Sequence, residues 1–350
     1  MKQHFLFSIC FLASIIFLNS CRNDFDIAAQ WKEIPVVYGL LDADSSVQYI
    51  KVEKAFLDKS IGAYDMASKI DSIYYLQKLK VKLFATDPST NSKIIGEDYT
   101  CTLVDGDSIG LKKDNGTFAS SPNYFFRLKH KLDAKYNYNL EITKPDGSIV
   151  ATAVTNVLGK VVFSQSYTTS STGFNFYVKN IQTPNKIVFL MTPDANAVSC
   201  DLVIRTYYKE VPINSTDTTF HYADWNVLSN VTYVNGKALN DAPSFIGTGY
   251  YLNLKNELRD KPKNVKRFFN RLDFIAFSGN QIFEDYRNVI NAQSGFTSGN
   301  SQPVYTNIIG GGLGLFASRN TTTLKDVLLS ATSLDSIKKG RYTYDLGFDN

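Results

Sequence analysis

The chain has 350 residues and a formal net charge of +4, and only 20% of its residues are charged. This weak, mixed charge does not match the concentrated basic surface of nucleic-acid-binding proteins, so we expect no nucleic-acid partner. A hydrophobic content of 44% is enough for a buried core, and the length predicts two domains. The few cysteines and histidines lack the close spacing of a zinc site, and we expect neither a metal nor a cofactor.

The N-terminus has the parts of a secretion signal. Lys2 supplies a positive charge, and an apolar run covers residues 5–18. A bilayer-spanning helix needs about 20 apolar residues, so this shorter run is typical of a signal peptide instead. We therefore predict a signal peptide over residues 1–20.

Cys21 is the predicted lipidation site. Leu18 lies three residues before it, and Asn19 and Ser20 follow, an arrangement that resembles a lipobox. In that motif the cysteine thiol receives a diacylglyceryl group, the signal is cut off, and the new amine is acylated, so that several acyl chains hold the protein to a membrane. The alternative is an ordinary signal peptide with a chance cysteine. We expect the membrane to be a partner through Cys21, with residues 21–33 as a tether.

Residues 34–157 predict an N-terminal β-sandwich domain. Apolar side chains alternate with polar ones over residues 79–85 and 136–142, as in half-buried antiparallel strands. Residues 144–147 predict a turn in which Gly147 takes a positive φ, and residues 149–154 predict the returning strand of the hairpin. One helix interrupts the strands, because four apolar residues share a helical face and Asp65 precedes them as a cap; they are Met66, Ile70, Ile73 and Tyr74.

Residues 158–350 predict a second, C-terminal β-rich domain. Strands are expected over residues 186–191, 200–211, 230–234, 272–277 and 323–329. The spacing of Ile282, Tyr286, Val289 and Ile290 predicts a helix, and residues 334–339 predict a short one. The predicted fold is mostly β, with two immunoglobulin-like β-sandwich domains and a few short helices.

Cys101 and Cys200 are the two cysteines that remain after the signal peptide and Cys21. Outside the cytoplasm they can form a disulfide, which would join the two predicted domains. The alternative is a pair of buried free thiols, since the sequence does not show the geometry that a disulfide needs.

Three segments partly match the motif of a known functional site but lack residues or elements that the motif requires. The glycine run at residues 310–314 lacks the Lys-Ser/Thr pair of a phosphate-binding loop and predicts a turn that enters a strand. Residues 106–110 spell G-x-S-x-G around Ser108, but a turn follows where a nucleophile elbow needs a helix. Residues 105–116 begin like a calcium loop, but Ile109 and Gly116 occupy ligand positions, so an acidic turn is expected.

Three further groups of residues are candidates for binding or catalysis. Residues 255–271 hold seven basic and two acidic side chains, which predict a basic patch for an acidic partner or a solvated loop. Glu210, Glu284 and Asp285 lie near aromatic residues, but the sequence does not place two of them face to face as a glycosidase requires. Five aromatic residues form either a binding face or core packing; they are Tyr207, Tyr208, Phe220, Tyr222 and Trp225.

Several segments resemble a large family of Bacteroidota lipoproteins whose activity is not established. The resemblance is strongest over residues 305–319 and includes residues 36–41, the hairpin at residues 145–147, and residues 205–210 with Trp225 downstream. It implies an anchor in the outer membrane and an accessory role beside TonB-dependent transporters, and it supplies no catalytic residue.

The expected function is therefore that of a non-enzymatic binding or accessory lipoprotein of the outer membrane, on its periplasmic or its surface side. Two alternatives stay open. One is a structural component of an envelope secretion or motility complex, and the other is a hydrolase that uses Ser108 or dispersed carboxylates.

Overall fold

The structure is a computed structural model that describes residues 33–55, 63–75, 78–169, 172–176, 186–293 and 304–349. The predicted signal peptide, the predicted lipidation site Cys21 and residues 21–32 of the predicted tether lie outside the described residues. The described part of the chain is mostly β, which confirms the predicted fold class. The immunoglobulin-like form of each half stays a prediction.

Strands are the main elements of the fold. Those in the first half are β1 (Ile34–Leu41), β2 (Gln48–Ala55), β3 (Lys80–Thr86), β4 (Lys93–Thr100), β5 (Thr102–Asp105), β6 (Tyr124–Leu128), β7 (Asn137–Thr143) and β8 (Ile149–Asn156). Those in the second half are β9 (Val162–Phe163), β10 (Lys186–Val188), β11 (Met191–Thr192), β12 (Ala197–Pro212), β13 (Thr219–Val234), β14 (Lys237–Ala238), β15 (Ser244–Ile246), β16 (Val265–Asn280) and β17 (Leu313–Val327).

Helices are few and mostly short. They are α1 (Ala63–Ala67), α2 (Ile70–Ile73), α3 (Ser166–Thr169), α4 (Thr248–Leu258), α5 (Gln281–Gln293) and α6 (Ala331–Lys339), with a 3₁₀ turn at Gly106–Ile109. Helices α5 and α6 confirm the two helices predicted after residue 280. Within the described ranges, no helix combines the length and the apolar character needed to cross a membrane.

The predicted hairpin of the first half is confirmed. Strand β3 buries Val81 and Leu83, and β7 buries Leu140 and Ile142, in register with each other. Gly147 has a φ of 85° in the turn that leads to β8. The alternating pattern predicted these strands because one face of each is buried and the other is not.

The helix predicted around residues 66–74 is wrong. The segment forms the separate helices α1 and α2, because Lys69 between them has extended backbone angles. Asp65 lies inside α1 and is not a cap. The side chains of Met66 and Tyr74 are nevertheless buried, so the apolar spacing identified the buried side of the segment.

One large sheet runs through both halves of the chain. Among the described residues, nine strands follow the order β14-β13-β12-β16-β17-β1-β2-β6-β5, and a second sheet has the order β4-β3-β7-β8. Strand β17 joins the halves, because its first part pairs parallel with β1 and its second part pairs antiparallel with β16. The strands predicted over residues 230–234 and 272–277 are parts of β13 and β16, and the one predicted over residues 323–329 continues the single strand β17.

Two separate cores lie on this framework. The first is mainly aliphatic and joins β1, β2 and β6 of the large sheet to β3, β7 and β8 of the four-stranded sheet. The second is rich in aromatic side chains and lies on one side of β12, β13 and β16, where Phe176 stacks on Tyr250 with ring centroids 4.1 Å apart. We call the side of these three strands that faces the second core the inner face.

The predicted domain boundary at residues 157 and 158 lies in a buried stretch. Val157 and Leu158 are fully buried, and the Leu158 amide donates to Ser318 Oγ over 3.0 Å. Ser318 Oγ in turn donates to the Leu41 carbonyl over 3.0 Å. The two-domain division stays a prediction, and hydrogen bonds in place of an exposed linker hold the halves together at this point.

Candidate functional site

Strand alternation divides the five aromatic residues singled out in the sequence. Tyr208 and Trp225 turn to the inner face, where Tyr208 is buried and Trp225 packs against the aromatic core. Tyr207 lies on the opposite side of β12, next to Tyr222 and Phe220 of β13. Tyr222 is 57% exposed and Phe220 is 74% exposed. Core packing therefore explains two of the five residues, and the other three need a different explanation.

The exposed aromatic residues belong to a surface that we call the outer face. Its side chains come from one side of three neighbouring strands, as the strand register shows. They are Arg205, Tyr207 and Lys209 of β12, Phe220, Tyr222 and Asp224 of β13, and Phe268, Arg271 and Asp273 of β16.

Cations and rings alternate across the outer face. The guanidinium carbon of Arg271 lies 3.9 Å from the ring centre of Tyr207, and that of Arg205 lies 4.2 Å from the ring centre of Tyr222. Tyr207 and Tyr222 are directly opposite each other in the register of β12 and β13. Each such contact stabilises its pair by roughly 0.5–1 kcal/mol at an exposed site. The rings and guanidinium groups therefore hold one another in fixed positions.

The arginines of the outer face are neutralised within the face. Arg205 donates from Nε and Nη2 to the two carboxylate oxygens of Asp224, each over 2.7 Å. This bidentate hydrogen bond raises the pKa of the Arg205 guanidinium above its usual value. Arg271 Nε lies 3.3 Å from Asp273 and 3.1 Å from Asp326. The face is thus polar and aromatic without a large excess of charge.

A recess of about 410 Å³ opens at one end of the outer face. Asp201 and Val203 of β12 and Asn226 of β13 form one side of it, and Phe283 and Arg287 of helix α5 form another. Its volume falls in the range of small-molecule and side-chain pockets.

Arg287 and Arg319 differ in how the recess holds them. Arg287 pairs with Glu284 over 2.7 Å and with Asp201 over 3.3 Å, so its position is set by two carboxylates. Arg319 is exposed at the recess, with its guanidinium carbon 5.7 Å from the ring centre of Phe277. Arg319 is therefore the more exposed of the two guanidinium groups at the recess.

The basic segment at residues 255–271 is neither a single patch nor a single loop. Residues 255–258 end helix α4 and Val265 begins strand β16, so the solvated-loop interpretation is wrong for both ends of the segment. Arg267 is only 2% exposed and donates to Glu210 Oε1 over 2.8 Å and to the Pro262 carbonyl over 2.7 Å. The buried Glu210 compensates this buried charge, while Lys261 and Lys263 remain exposed.

The candidate catalytic carboxylates are engaged in structural contacts. Glu210 pairs with Arg267, and Glu284 pairs with Arg287 and accepts a hydrogen bond from Ser199. Asp285 accepts from the Gln281 amide over 2.7 Å within helix α5. These contacts give each carboxylate a partner in the fold and do not bring Glu210 together with Glu284 in one cluster.

Ser108 lies in a 3₁₀ turn and not in a nucleophile elbow. Its hydroxyl donates to the Asp105 carbonyl over 2.6 Å, and Gly110 ends the turn with a φ of 82°. Asp105 caps the turn by accepting from the Asp107 amide, as the acidic-turn interpretation predicts. In the described part of the chain, no three histidine, cysteine or acidic side chains form a group that holds a metal ion.

The glycine run leads into strand β17. Gly310, Gly311 and Gly314 have positive φ values, and a Cβ atom on Gly314 would lie 2.0 Å from the Val37 carbonyl oxygen. The close parallel pairing of β1 and β17 therefore requires glycine here. This confirms the interpretation of the run as a turn that enters a strand.

Cys101 and Cys200 are both free and buried, so the disulfide alternative is wrong. Cys101 belongs to the aliphatic core and Cys200 to the aromatic core. Burial raises the pKa of each thiol to about 12. The second interpretation, two buried free thiols, is confirmed.

Comparisons with known proteins place the chain in no group: no protein-family model matches it, and no curated protein matches it.

Proposed function

We propose that this protein is a non-enzymatic accessory lipoprotein, anchored in the outer membrane through Cys21, that uses the outer face to bind another protein. The partner class is a TonB-dependent transporter. The predicted signal peptide and lipobox support the anchor, and the resemblance to Bacteroidota lipoproteins supports the outer membrane and the partner class.

The two exposed rings of the outer face, Phe220 and Tyr222, are the observation that carries the binding role. Tyrosine, phenylalanine and arginine are enriched at the centres of protein interfaces, where a few such residues provide most of the binding energy. Phe220 and Tyr222 are exposed on a regular stretch of strand β13. Their rings do not contribute to either buried core. A strand surface of this composition suits another protein surface.

Charge and shape give the partner surface its expected chemistry. Asp224 neutralises Arg205, and Asp273 and Asp326 neutralise Arg271, so the centre of the face needs no strongly charged partner. The recess beside it is large enough for one projecting side chain, and the guanidinium of Arg319 lines it and can pair with an acidic group. We expect a largely uncharged partner surface with one acidic or aromatic anchor.

The test is an affinity pull-down from cells that carry a tagged full-length chain, combined with protease digestion of intact cells. The double variant Phe220→Ser/Tyr222→Ser removes the two most exposed rings of the outer face. Tyr64→Ser is the matched control, because Tyr64 is 80% exposed and lies on α1 in the other half of the chain.

We expect an outer-membrane transporter to co-purify with the wild type and with Tyr64→Ser, and to be reduced about tenfold or more with the double variant. Loss of the transporter from all three samples would reject the accessory role. Equal recovery with all three would keep the partner and reject the outer face as its binding surface.

A further inference from the structure

A second cavity, of about 630 Å³, lies in the N-terminal half and takes no part in the outer face. It is formed where helix α2 meets β2, β6 and the edge strand β5. Its walls are mainly apolar and aromatic, with Val52, Leu79, Leu103 and Phe126 among them. Its volume is that of a ligand pocket and far exceeds the voids of an ordinary core.

Apart from Asp71 and Lys78, no described residue that lines this cavity carries a charge at physiological pH. Burial raises the pKa of Tyr74 and of Tyr75 to about 12, and burial alone raises that of the Cys101 thiol to about 12. Away from Asp71 and Lys78, a charged ligand group would lose its hydration without meeting an opposite charge among the described lining residues, which is costly. The buried part of a ligand is therefore an apolar chain.

The charged side chains that line the cavity stand at its mouth. In the described part of the chain they are Asp71 and Lys78, and both are exposed. Asp71 supplies an anion and Lys78 a cation, which complements a head group that carries both charges, such as a phosphate with an ammonium group. An apolar interior with a zwitterionic mouth matches an amphiphile.

The cavity also lies close to the start of the described chain. Glu33 is 3.7 Å from Lys54 Nζ, and that ammonium lies 5.9 Å from the ring centre of Tyr75 in the cavity wall. Glu33 is twelve positions after Cys21, and an extended chain of that length reaches at most about 40 Å. If Cys21 is anchored as proposed above, Glu33 stays within this distance of the membrane.

We infer that the cavity takes up the acyl chain of a zwitterionic phospholipid, with the phosphate at Lys78 and the ammonium group at Asp71. Only the membrane source of this lipid rests on the proposed anchor. The evidence for the cavity and for its charged lining residues is independent of that anchor.

The test uses the full chain solubilised in digitonin, which has no simple acyl chain. The probe is lysophosphatidylethanolamine with a diazirine in the middle of its acyl chain, and mass spectrometry maps the crosslinks after irradiation. We expect saturable labelling of residues that line the cavity, and competition by the unlabelled lipid. Labelling that is spread over the surface and does not saturate would overturn the inference.

Two variants separate binding in the cavity from unspecific adsorption. Leu103 lines the cavity and is 49% exposed, so a tryptophan at this position can occupy part of the cavity without being forced into the packed core. We expect Leu103→Trp to reduce cavity labelling at least about tenfold. Leu111→Trp is the matched control, because Leu111 is also a partly exposed leucine but does not line the cavity. Equal labelling of Leu103→Trp and the wild type would reject the site.

The head group is tested with a second probe and a third variant. Lys78→Ala should raise the half-saturating concentration of the probe about threefold, as expected for the loss of an exposed ion pair. A phosphoglycerol probe of the same chain length should bind more weakly, and equal binding would reject the zwitterionic head group. Phe220→Ser/Tyr222→Ser should leave cavity labelling unchanged, so failure of the outer face and failure of the cavity are distinguished.

Discussion

The inner and outer faces of β12, β13 and β16 contain the same residue types in different environments. On the inner face, Tyr208 and Arg267 are buried, and their packing and ion pairs belong to the core. On the outer face, Tyr222 and Arg205 make similar contacts but remain open to solvent. Burial, and not residue type, decides whether a side chain contributes mainly to stability or is available to a partner. Substitutions on the two faces should therefore have separable effects.

The largest expected difference between the faces concerns the two arginines. Arg267→Ala removes the guanidinium from the buried Glu210, whose other carboxylate oxygen lies 3.5 Å from His221, so we expect the free energy of unfolding to fall by about 3–5 kcal/mol. Arg205→Ala breaks a partly exposed pair with Asp224 and should lower it by about 1 kcal/mol or less. Urea denaturation followed by circular dichroism measures both. Equal losses would show that the two faces are equally buried in solution.

A smaller difference is expected for two isoleucines on opposite faces. Ile204 of β12 is fully buried on the inner face, whereas Ile275 of β16 is half-buried on the outer face. Ile204→Val removes a packed methyl group and should lower the free energy of unfolding by about 0.5–1.5 kcal/mol. Ile275→Val should change it by about 0.5 kcal/mol or less. A larger loss at Ile275 would mean that another part of the protein covers the outer face.

The reaction rates of the two thiols compare how accessible the inner face and the cavity of the N-terminal half are to solvent. Cys200 is fully buried there, whereas Cys101 lines the cavity of the N-terminal half. We expect N-ethylmaleimide to modify Cys101 faster than Cys200 in the folded protein. Mass spectrometry of the modified peptides measures both rates, and a faster reaction at Cys200 would show that the aromatic core opens more readily than the cavity.

The pH dependence of the same reaction follows from the raised pKa values. The thiolate is the reacting form, and burial holds the pKa of each thiol at about 12. Both thiols are therefore protonated at pH 7, and the rate should rise about tenfold per pH unit while the pH stays below 12 and the fold is intact. A rate that levels off near pH 9 would mean that the thiols are solvated as in an unfolded chain.

The local elements of the fold could be predicted because their side chains alternate cleanly. Strand β7 has one buried face and one polar face, and the apolar residues of helix α5 recur at helical spacing, so the periodicity of both elements is visible in the sequence. Strand β17 was divided in the prediction because Thr321–Thr323 interrupts its apolar pattern, although main-chain pairing with β16 continues through it. The pairing of β1 with β17 joins residues far apart in the chain, and no local pattern indicates it.

The candidate site was predictable only in part for the same reason. The sequence brought Tyr207 and Tyr222 to attention as aromatic residues, but their shared face depends on the register of β12 against β13. Arg271 was counted with a basic segment, and only its position opposite Tyr207 places it on the outer face. The available signal was the alternation within residues 201–211. Asp201, Arg205 and Lys209 occupy odd-numbered positions there, which places these polar residues on one side of the strand.

The most direct test of the binding role is photo-crosslinking in living cells with the full chain. p-Benzoylphenylalanine would replace Phe220 on the outer face in one strain and Tyr64 on α1 in another, two positions of similar exposure. The account predicts one dominant crosslinked product at position 220, containing an outer-membrane transporter, and little of it at position 64. The same product in equal yield at both positions, or no product at position 220, would contradict it.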